Sequence, residues 1–390
     1  MRYRIVHRTG YAYASPVHES FNEVRLQPVS SETQTCLNFD LVIDPPVPMI
    51  TYQDYYGNAV HDFGVPYVHD RLTIEATSDI VTFAGADEPL FGPRGGAPDA
   101  SPALTTLVSD TGFSDDHAEF LSPSTFVLLE EASGVLARHL LAGDPTTSAY
   151  AFALRGAAYI TSHFTYQVGV TTVRSTVADV LAGGSGVCQD FAHLFISFCR
   201  HLGLPARYVS GYLGDVEESG ASHAWAEAYI PPYGWVGIDP TVGAVCTGRH
   251  VKIAAGRDYA DVAVVRGTYR GGGEAALTVE VRGAVLDDAH DLSAAGRANG
   301  TRGRGKLIQY QTLGAMQQFQ RRGAMMQTMG STTQTMGAFP TDMPGQRDEP
   351  DIPRQQPQQQ QQGSGERSRS EAGSRRSLSC VPTLLEEVRA

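Results

Sequence analysis

The stretch Gly186-Val187-Cys188-Gln189-Asp190 decides the fold, because it opens a helical pattern that is apolar on nearly every side. Apolar residues recur from Phe191 to Leu202, and Gly203 then ends the segment, as glycine often does at helix C-termini. A helix that is apolar on so many sides belongs in the middle of a domain. We therefore expect it to be the central helix of a globular core, with Cys188 at its N-terminus.

The position of Cys188 suits a nucleophile. The thiolate is the reactive form of cysteine, and a helix N-terminus beside an imidazolium lowers the thiol pKa from its ordinary value of about 8.5. The free amides of the first helical turn can also face a developing oxyanion. The alternative is that Cys188 is a small buried hydrophobe, which is what we expect of Cys199 in the middle of the same helix.

Two later motifs supply the partners that such a cysteine needs. They are Ser222-His223-Ala224-Trp225 and Gly237-Ile238-Asp239-Pro240. A thiol, an imidazole base and a carboxylate that orients the base are the groups required for acyl transfer through a thioester. A lone histidine is more often a surface or core residue, but an aspartate at the end of the next strand favours the role of a base for His223.

The strands that carry His223 and Asp239 can pair in two registers. A tight turn at Pro232-Tyr233-Gly234 places Asp239 opposite Glu227, which leaves His223 about 13 Å away along the strand. A looser loop over residues 228–234 places Asp239 opposite His223. We predict the looser loop, and a separation of more than one strand position would count against the triad.

The rest of the chain divides by pattern into four regions. Short apolar runs between turn residues predict a small β-sandwich-like domain over residues 1–85, and the Gly- and Pro-containing stretch 86–118 is typical of a linker. Helices followed by strands predict an α+β core over residues 119–288. Residues 289–390 are rich in Gln, Ser, Arg and Gly, which predicts a mostly disordered tail whose partner is unknown.

The predicted strands of the first region cover residues 3–13, 22–27, 36–43, 50–56, 59–64 and 72–82. Those of the core cover residues 207–213, 224–230, 235–238, 262–266 and 275–285.

Composition excludes several classes of protein. The 390 residues carry a net charge of −12, and the first 300 hold 18 Arg/Lys against 34 Asp/Glu, which argues against nucleic-acid binding. Five cysteines without CxxC pairs indicate neither a disulfide framework nor a zinc site, and no calcium-loop pattern occurs, so we expect no metal and no cofactor. Without a signal peptide or a long apolar run, we expect a cytoplasmic protein that does not contact membranes.

Four segments together resemble the core of the bacterial transglutaminase-like superfamily. They are residues 186–192 around Cys188, residues 203–212 (Gly-Leu-Pro-Ala-Arg-Tyr-Val-Ser-Gly-Tyr), residues 222–227 around His223 and residues 234–241 around Asp239. Residues 256–267 resemble the segment that closes this domain, and the β-rich region resembles the domain that commonly precedes it. The resemblance implies a papain-like α+β core in which Cys188 is the nucleophile, His223 the base and Asp239 its orienter.

The resemblance leaves the reaction open, since the superfamily includes protein cross-linkers, peptidases and amidases. We expect a cysteine-dependent amide hydrolase or acyltransferase acting on a peptide or protein, in which water or an amine resolves the thioester. The alternative from another class is a catalytically silent binding or assembly module that uses the Gln/Arg-rich tail. Tyr166 is a candidate second oxyanion donor, or else a core aromatic, and Trp225 and Trp235 either line the cleft or serve packing alone.

Overall fold

The computed structural model describes residues 1–93, 97–141, 143–172, 174–214 and 222–286. The predicted tail, residues 289–390, lies outside them. The fold is α+β, as predicted, with a β-rich N-terminal region followed by a layer of helices and a second sheet.

The strands are β1 (Arg2–Val24), β2 (Gln34–Asp44), β3 (Met49–Gln53), β4 (Ala59–Val65), β5 (His69–Thr82), β6 (Thr165–Tyr166), β7 (Ser185–Gly186), β8 (Ala206–Leu213), β9 (His223–Ile230), β10 (Gly234–Asp239), β11 (Ala244–Val245), β12 (His250–Gly256), β13 (Val265–Gly271) and β14 (Ala275–Val285). The helices are α1 (Leu104–Val108), α2 (Thr111–Asp116), α3 (Ala118–Leu121), α4 (Glu131–Leu140), α5 (Ala149–His163), α6 (Val177–Gly183), α7 (Cys188–His201) and α8 (Tyr259–Val262).

The N-terminal sheet is organised around β1. Seven strands of the described residues form this sheet, in which the first half of β1 pairs with β5 and β14 and its second half with β4 and β13. Buried and less buried residues alternate along β1, as expected of a strand with one face on a core. The β-rich N-terminal region predicted from the sequence is therefore confirmed, with one strand where the sequence indicated two.

The strands β13 and β14 belong to this sheet and not to the catalytic core in which we predicted them. Residues Tyr3–Tyr13 of β1 pair antiparallel with Val285–Ala275 of β14, over its full length. The apolar alternation of residues 275–285 indicated a strand correctly, but a strand pattern does not identify its partner. The boundary predicted at residue 85 therefore does not separate the two sheets along the chain.

The segment 86–118 is more ordered than the predicted linker. It contains α1 and α2, and Leu104 and Leu107 of α1 are buried. These helices have only five and six residues, too short for the helical periodicity of a longer segment to show among the surrounding turn residues.

The central helix of the second layer is α7, as predicted. Every residue from Asp190 to Arg200 is buried. The helix packs on a five-stranded sheet of order β11-β10-β9-β8-β12, and Gly203 follows its end with a φ of 74°. The alanines of β9 belong to the same apolar cluster as Phe195 of α7, so the small residues face the helix as the sequence indicated.

A single apolar cluster connects the N-terminal sheet with this second layer. It runs from Tyr3 and Ile5 of β1 through Tyr212 of β8 to Phe195 of α7. The two regions therefore stabilise each other by sharing buried apolar surface. None of the described helices is long and apolar enough to span a membrane.

Gly211 lies where β8 passes under a large aromatic ring. It pairs with His223 across β8 and β9, and a Cβ atom at this position would collide with the Trp225 ring and the Val251 carbonyl oxygen. We predict that Gly211→Ala lowers the free energy of unfolding by about 1–3 kcal/mol, because overpacking displaces side chains or backbone. Chemical denaturation measures the change. Gly183→Ala is the control, since its Cβ would meet only Ser185 Oγ at 3.9 Å; equal stabilities of the two variants would contradict the prediction.

Candidate active site

The N-terminus of α7 is held beside a short parallel strand pair. Thr165 and Tyr166 of β6 pair with Ser185 and Gly186 of β7, two residues before the helix begins. Cys188 is the first residue of α7 and is partly exposed. The thiol therefore lies at a helix N-terminus, as the sequence predicts, whereas Cys199 is completely buried.

The structure brings the three predicted site residues together. His223 Nε2 lies 2.7 Å from Asp239 Oδ2, and the Cys188 thiol lies close enough to His223 to raise the pKa of the imidazole. Because Nε2 is used by the carboxylate, Nδ1 is the imidazole nitrogen left for the thiol. Asp239 is completely buried, and its Oδ1 accepts a hydrogen bond of 2.8 Å from the Thr241 backbone amide.

The electrostatics of this group follow from burial and pairing. Burial lowers the pKa of His223, but the Asp239 carboxylate and the hydrogen bonds outweigh it and raise this pKa to about 10. Burial raises the pKa of Asp239, and the two imidazoles that contact it bring it well below its ordinary value. The pair therefore favours an imidazolium beside a carboxylate.

The strand register differs from both predicted alternatives. Ile230 pairs with Gly234 and Ala226 with Ile238, so that the turn comprises Pro231, Pro232 and Tyr233. Gly234 adopts the left-handed conformation, with a φ of 74°, but it is already the first residue of the next strand. The prediction of a looser loop over residues 228–234 was therefore wrong, because a three-residue turn is enough to connect the two strands.

This register makes the contact between His223 and Asp239 diagonal. Continued by one residue, it places Asp239 opposite Trp225, two residues from His223 and on the same face. Side chains of diagonal neighbours on one face of an antiparallel pair can still reach each other. The predicted direct opposition was wrong, and the separation of two strand positions exceeds the limit of one that we set for the triad. The 2.7 Å contact between His223 and Asp239 shows that this limit was too strict.

Tyr166 lies at the thiol and not in the core. Its side chain is 44% exposed, and it lies close enough to Cys188 for the thiol to raise the pKa of its hydroxyl. Partial burial and the neighbouring Cys188 and Asp239 charges raise the pKa of the phenol, so it stays protonated and can donate. A proton donor beside the nucleophile is what a second oxyanion donor requires.

The two tryptophans have different surroundings. Trp225 is buried and packs edge-on against His250, with ring centroids 5.2 Å apart, so it covers the carboxylate side of the site. Trp235 lies at the other end of β10, where the Arg207 guanidinium sits 4.1 Å above its ring. Only Trp225 is therefore next to the site.

Asp190, which the sequence analysis overlooked, is a buried acid two residues after the nucleophile. Its Oδ2 accepts hydrogen bonds from the Val187 amide at 2.8 Å and the Thr171 hydroxyl at 2.6 Å, whereas Oδ1 has no hydrogen-bond partner within the described residues. Burial raises its pKa to about 6. The sequence did contain a signal for this role, because an acid three residues after the N-cap commonly caps a helix.

His250, which the sequence analysis also overlooked, touches the same carboxylate as His223. Its Nε2 lies 3.2 Å from Asp239 Oδ2. One ligand atom from each of the three side chains lies within 4.8 Å of the other two, a spacing that also suits a metal ion. No sequence motif marks His250, since its position depends on the path of the chain between two strands.

Comparisons with known proteins agree with this architecture. Residues 125–240 match the transglutaminase-like superfamily, and residues 3–81 match the bacterial transglutaminase-like N-terminal region. An uncharacterised protein of Mycobacterium leprae is 34% identical over 287 residues, which cover 72% of this chain and 97% of that protein. The chain belongs to the transglutaminase-like superfamily.

Two further relatives extend the comparison of this transglutaminase-like protein. An uncharacterised protein of Mycobacterium tuberculosis is 35% identical over 280 residues, covering 68% of this chain and 87% of that protein. A crystal structure from Cytophaga hutchinsonii, described as a candidate cysteine protease, superimposes with a TM-score of 0.57 at 26% identity, covering 75% of this chain and 92% of that one. The N-terminal sheet and the papain-like core thus occur together in a solved relative.

The raised pKa of Asp190 predicts how stability depends on pH. An acid whose pKa is higher in the folded than in the unfolded state stabilises the fold below about pH 4 and loses this contribution as the pH rises to about 6. Asp190→Asn removes the ionisation, so its stability relative to the parent protein should rise by up to about 3 kcal/mol between pH 4 and pH 7. Chemical denaturation over this range measures the difference.

The control is Asp179→Asn, because Asp179 occupies the same third position of α6 but is exposed. The same rise for both variants would show that burial of Asp190 is not the cause.

Proposed function

We propose that this transglutaminase-like protein is a cysteine-dependent amide hydrolase or acyltransferase that acts on peptide or protein substrates. The proposal assigns Cys188 as the nucleophile, His223 as the general base and acid, and Asp239 as the group that orients the imidazole. The observation that carries it is the hydrogen bond between His223 and the fully buried Asp239 carboxylate, with the Cys188 thiol beside the imidazole at a helix N-terminus.

The proposed reaction begins at the thiol. The Cys188 sulfur, as a thiolate paired with the His223 imidazolium, attacks the amide carbonyl, and the C–N bond breaks as His223 donates its proton to the leaving amine. We assign the stabilisation of the oxyanion to the backbone amides of the first turn of α7 and to the Tyr166 hydroxyl. The product is a thioester on Cys188, which water or a second amine then resolves.

The surroundings of the thiol bear on which acceptor takes the acyl group. Tyr166, Val168 and Val170 are each 44–49% exposed in the segment that adjoins the thiol. Strict transamidation requires that water be kept from the thioester, whereas these exposed side chains leave the segment beside the thiol open to water. The exposure supports hydrolysis as the reaction in the absence of a bound amine substrate.

A silent binding module is the alternative from a different class. Such a module has no need for a buried carboxylate, which costs free energy unless it is paired. Asp239 and His223 are instead mutually stabilised as ions, with shifted pKa values of the kind that cluster at functional sites. This pairing favours the enzyme.

Selective alkylation tests whether Cys188 is activated. At pH 6, where ordinary thiols are almost fully protonated, iodoacetamide should modify Cys188 at least about tenfold faster than Cys36, which is also partly exposed. Peptide mapping by mass spectrometry identifies the modified residue. Asp239→Asn should slow the reaction at Cys188 and leave that of Cys36 unchanged, and equal rates at the two cysteines in the parent protein would reject the enzyme.

Mass spectrometry of a glutamine-containing peptide tests the reaction itself. Without an added amine we expect hydrolysis of the side-chain or backbone amide, and with the amine a competing transamidation product. His223→Ala should reduce either product by at least about 10²-fold, because general acid–base catalysis contributes a factor of this order. Cys188→Ala is the blank, and product formation that survives this substitution would show that the thiol is not the nucleophile.

A further inference from the structure

His250 is the first residue of β12, an edge strand of the five-stranded sheet. Its ring nevertheless contacts Asp239, the last residue of β10. β11 and β12 are the two opposite edges of the five-stranded sheet, so the chain between Val245 and His250 has to cross its face. On the way, the Cys246 amide bonds to the Gly237 carbonyl at 2.9 Å, and Thr247 and His250 close a tight turn. This path delivers the imidazole to Asp239.

The hydrogen bonds of His250 determine its tautomer. The Thr247 backbone amide donates to His250 Nδ1 at 3.0 Å. A nitrogen that accepts a hydrogen bond carries no hydrogen, so a neutral ring must carry it on Nε2. That nitrogen lies 3.2 Å from Asp239 Oδ2 and therefore donates to it. His250 is thus a neutral donor, since a second proton would have to go on Nδ1, against the Thr247 N–H.

We propose that His250 is a positioning residue, which fixes the Asp239 carboxylate in the orientation that His223 needs. The inference rests on the proposed function, since it concerns the same triad. Asp239 Oδ2 receives the N–H groups of both imidazoles, while Oδ1 receives the Thr241 amide. With His250 in place the carboxylate cannot rotate about its Cβ–Cγ bond without losing a donor.

A metal ion on the same three side chains is the competing use of His250. Metal coordination would require a free lone pair on His250 Nε2, and the ring hydrogen would then move to Nδ1. Two N–H groups would face each other across the 3.0 Å between Nδ1 and the Thr247 amide. The turn that presents His250 therefore selects the donor tautomer and opposes a metal.

The surroundings of His250 keep this geometry rigid. The ring is nearly buried and packs edge-on against Trp225. The turn before it is tied to the N-terminal sheet, because the Gly248 carbonyl accepts hydrogen bonds from Thr82 Oγ1 at 2.8 Å and from the Tyr3 hydroxyl at 3.2 Å. A positioning residue must itself be held, and these contacts hold it.

Nitrogen-15 NMR of the histidine rings in the full-length protein tests the tautomer without any activity. Between pH 6 and pH 8 we expect His250 to show a bare Nδ1 and a protonated Nε2, with its signals assigned from their loss in His250→Asn. Addition of zinc should leave them in place. A hydrogen on Nδ1, a doubly protonated ring or a zinc-dependent shift of Nε2 would overturn the proposal.

Two substitutions separate the two hydrogen bonds of His250. Glutamine places an amide nitrogen near the position of Nε2 and keeps a donor for Asp239, whereas asparagine places its oxygen near Nδ1 and keeps only the acceptor for Thr247. At pH 6 we expect His250→Asn to slow alkylation of Cys188 about 10- to 100-fold and His250→Gln to restore most of the rate. Both variants should have similar melting temperatures, so a difference in their alkylation rates is not an effect of stability. Equal rate losses in the two variants would overturn the positioning role.

A double-mutant cycle shows whether His250 acts through Asp239. His250→Asn should have almost no further effect on the alkylation rate in the Asp239→Asn background, because the carboxylate that it orients is then gone. If the double variant instead lost rate by the product of the two single effects, the proposal would be overturned. Failure of the proposed function looks different, since Cys188 of the parent protein would then react no faster than Cys36, while the NMR result on His250 stands independently.

Discussion

The rest of the structure depends on one buried charge, the carboxylate of Asp239. It is inaccessible to solvent, and an ionised group in that position is strongly destabilising unless hydrogen bonds replace the lost water. The replacements come from three places in the chain: His223 at the start of β9, Thr241 after β10 and His250 at the start of β12. All three segments must be folded before the charge is compensated, so the site forms only with the complete sheet.

The N-terminal sheet contributes to the same site through its contacts with the turn before His250. Tyr3 of β1 and Thr82 of β5 both donate to the Gly248 carbonyl, and Gly248 has no room for a Cβ beside the Ala84 and Gly85 carbonyls. Because β14 pairs along the first half of β1, the end of the described chain holds the strand that carries Tyr3. The β-rich region therefore supports the layer that carries the candidate site and is more than an appended domain.

The sequence predicted the local features of this protein better than its long-range ones. The helix from Cys188 and the strand from His223 were correct because their patterns are local and strong. The register between β9 and β10 was wrong, since it depends on a three-residue turn that composition does not distinguish from a longer loop. His250 had no signal at all, because a single histidine acquires its meaning only when the chain crosses from one sheet edge to the other.

The two sides of the site differ in a way that bears on how substrate enters. On the carboxylate side, Asp239 is fully buried, His250 contacts it, and Trp225 packs against His250. On the thiol side, Cys188 and Tyr166 remain partly exposed, beside the exposed Val168 and Val170. Exclusion of water from the carboxylate strengthens its attraction for the imidazolium. An accessible sulfur, by contrast, can react with a bulky acyl group. On the proposed function, we expect substrate to approach along the segment that follows β6 and to contact the exposed apolar side chains there first.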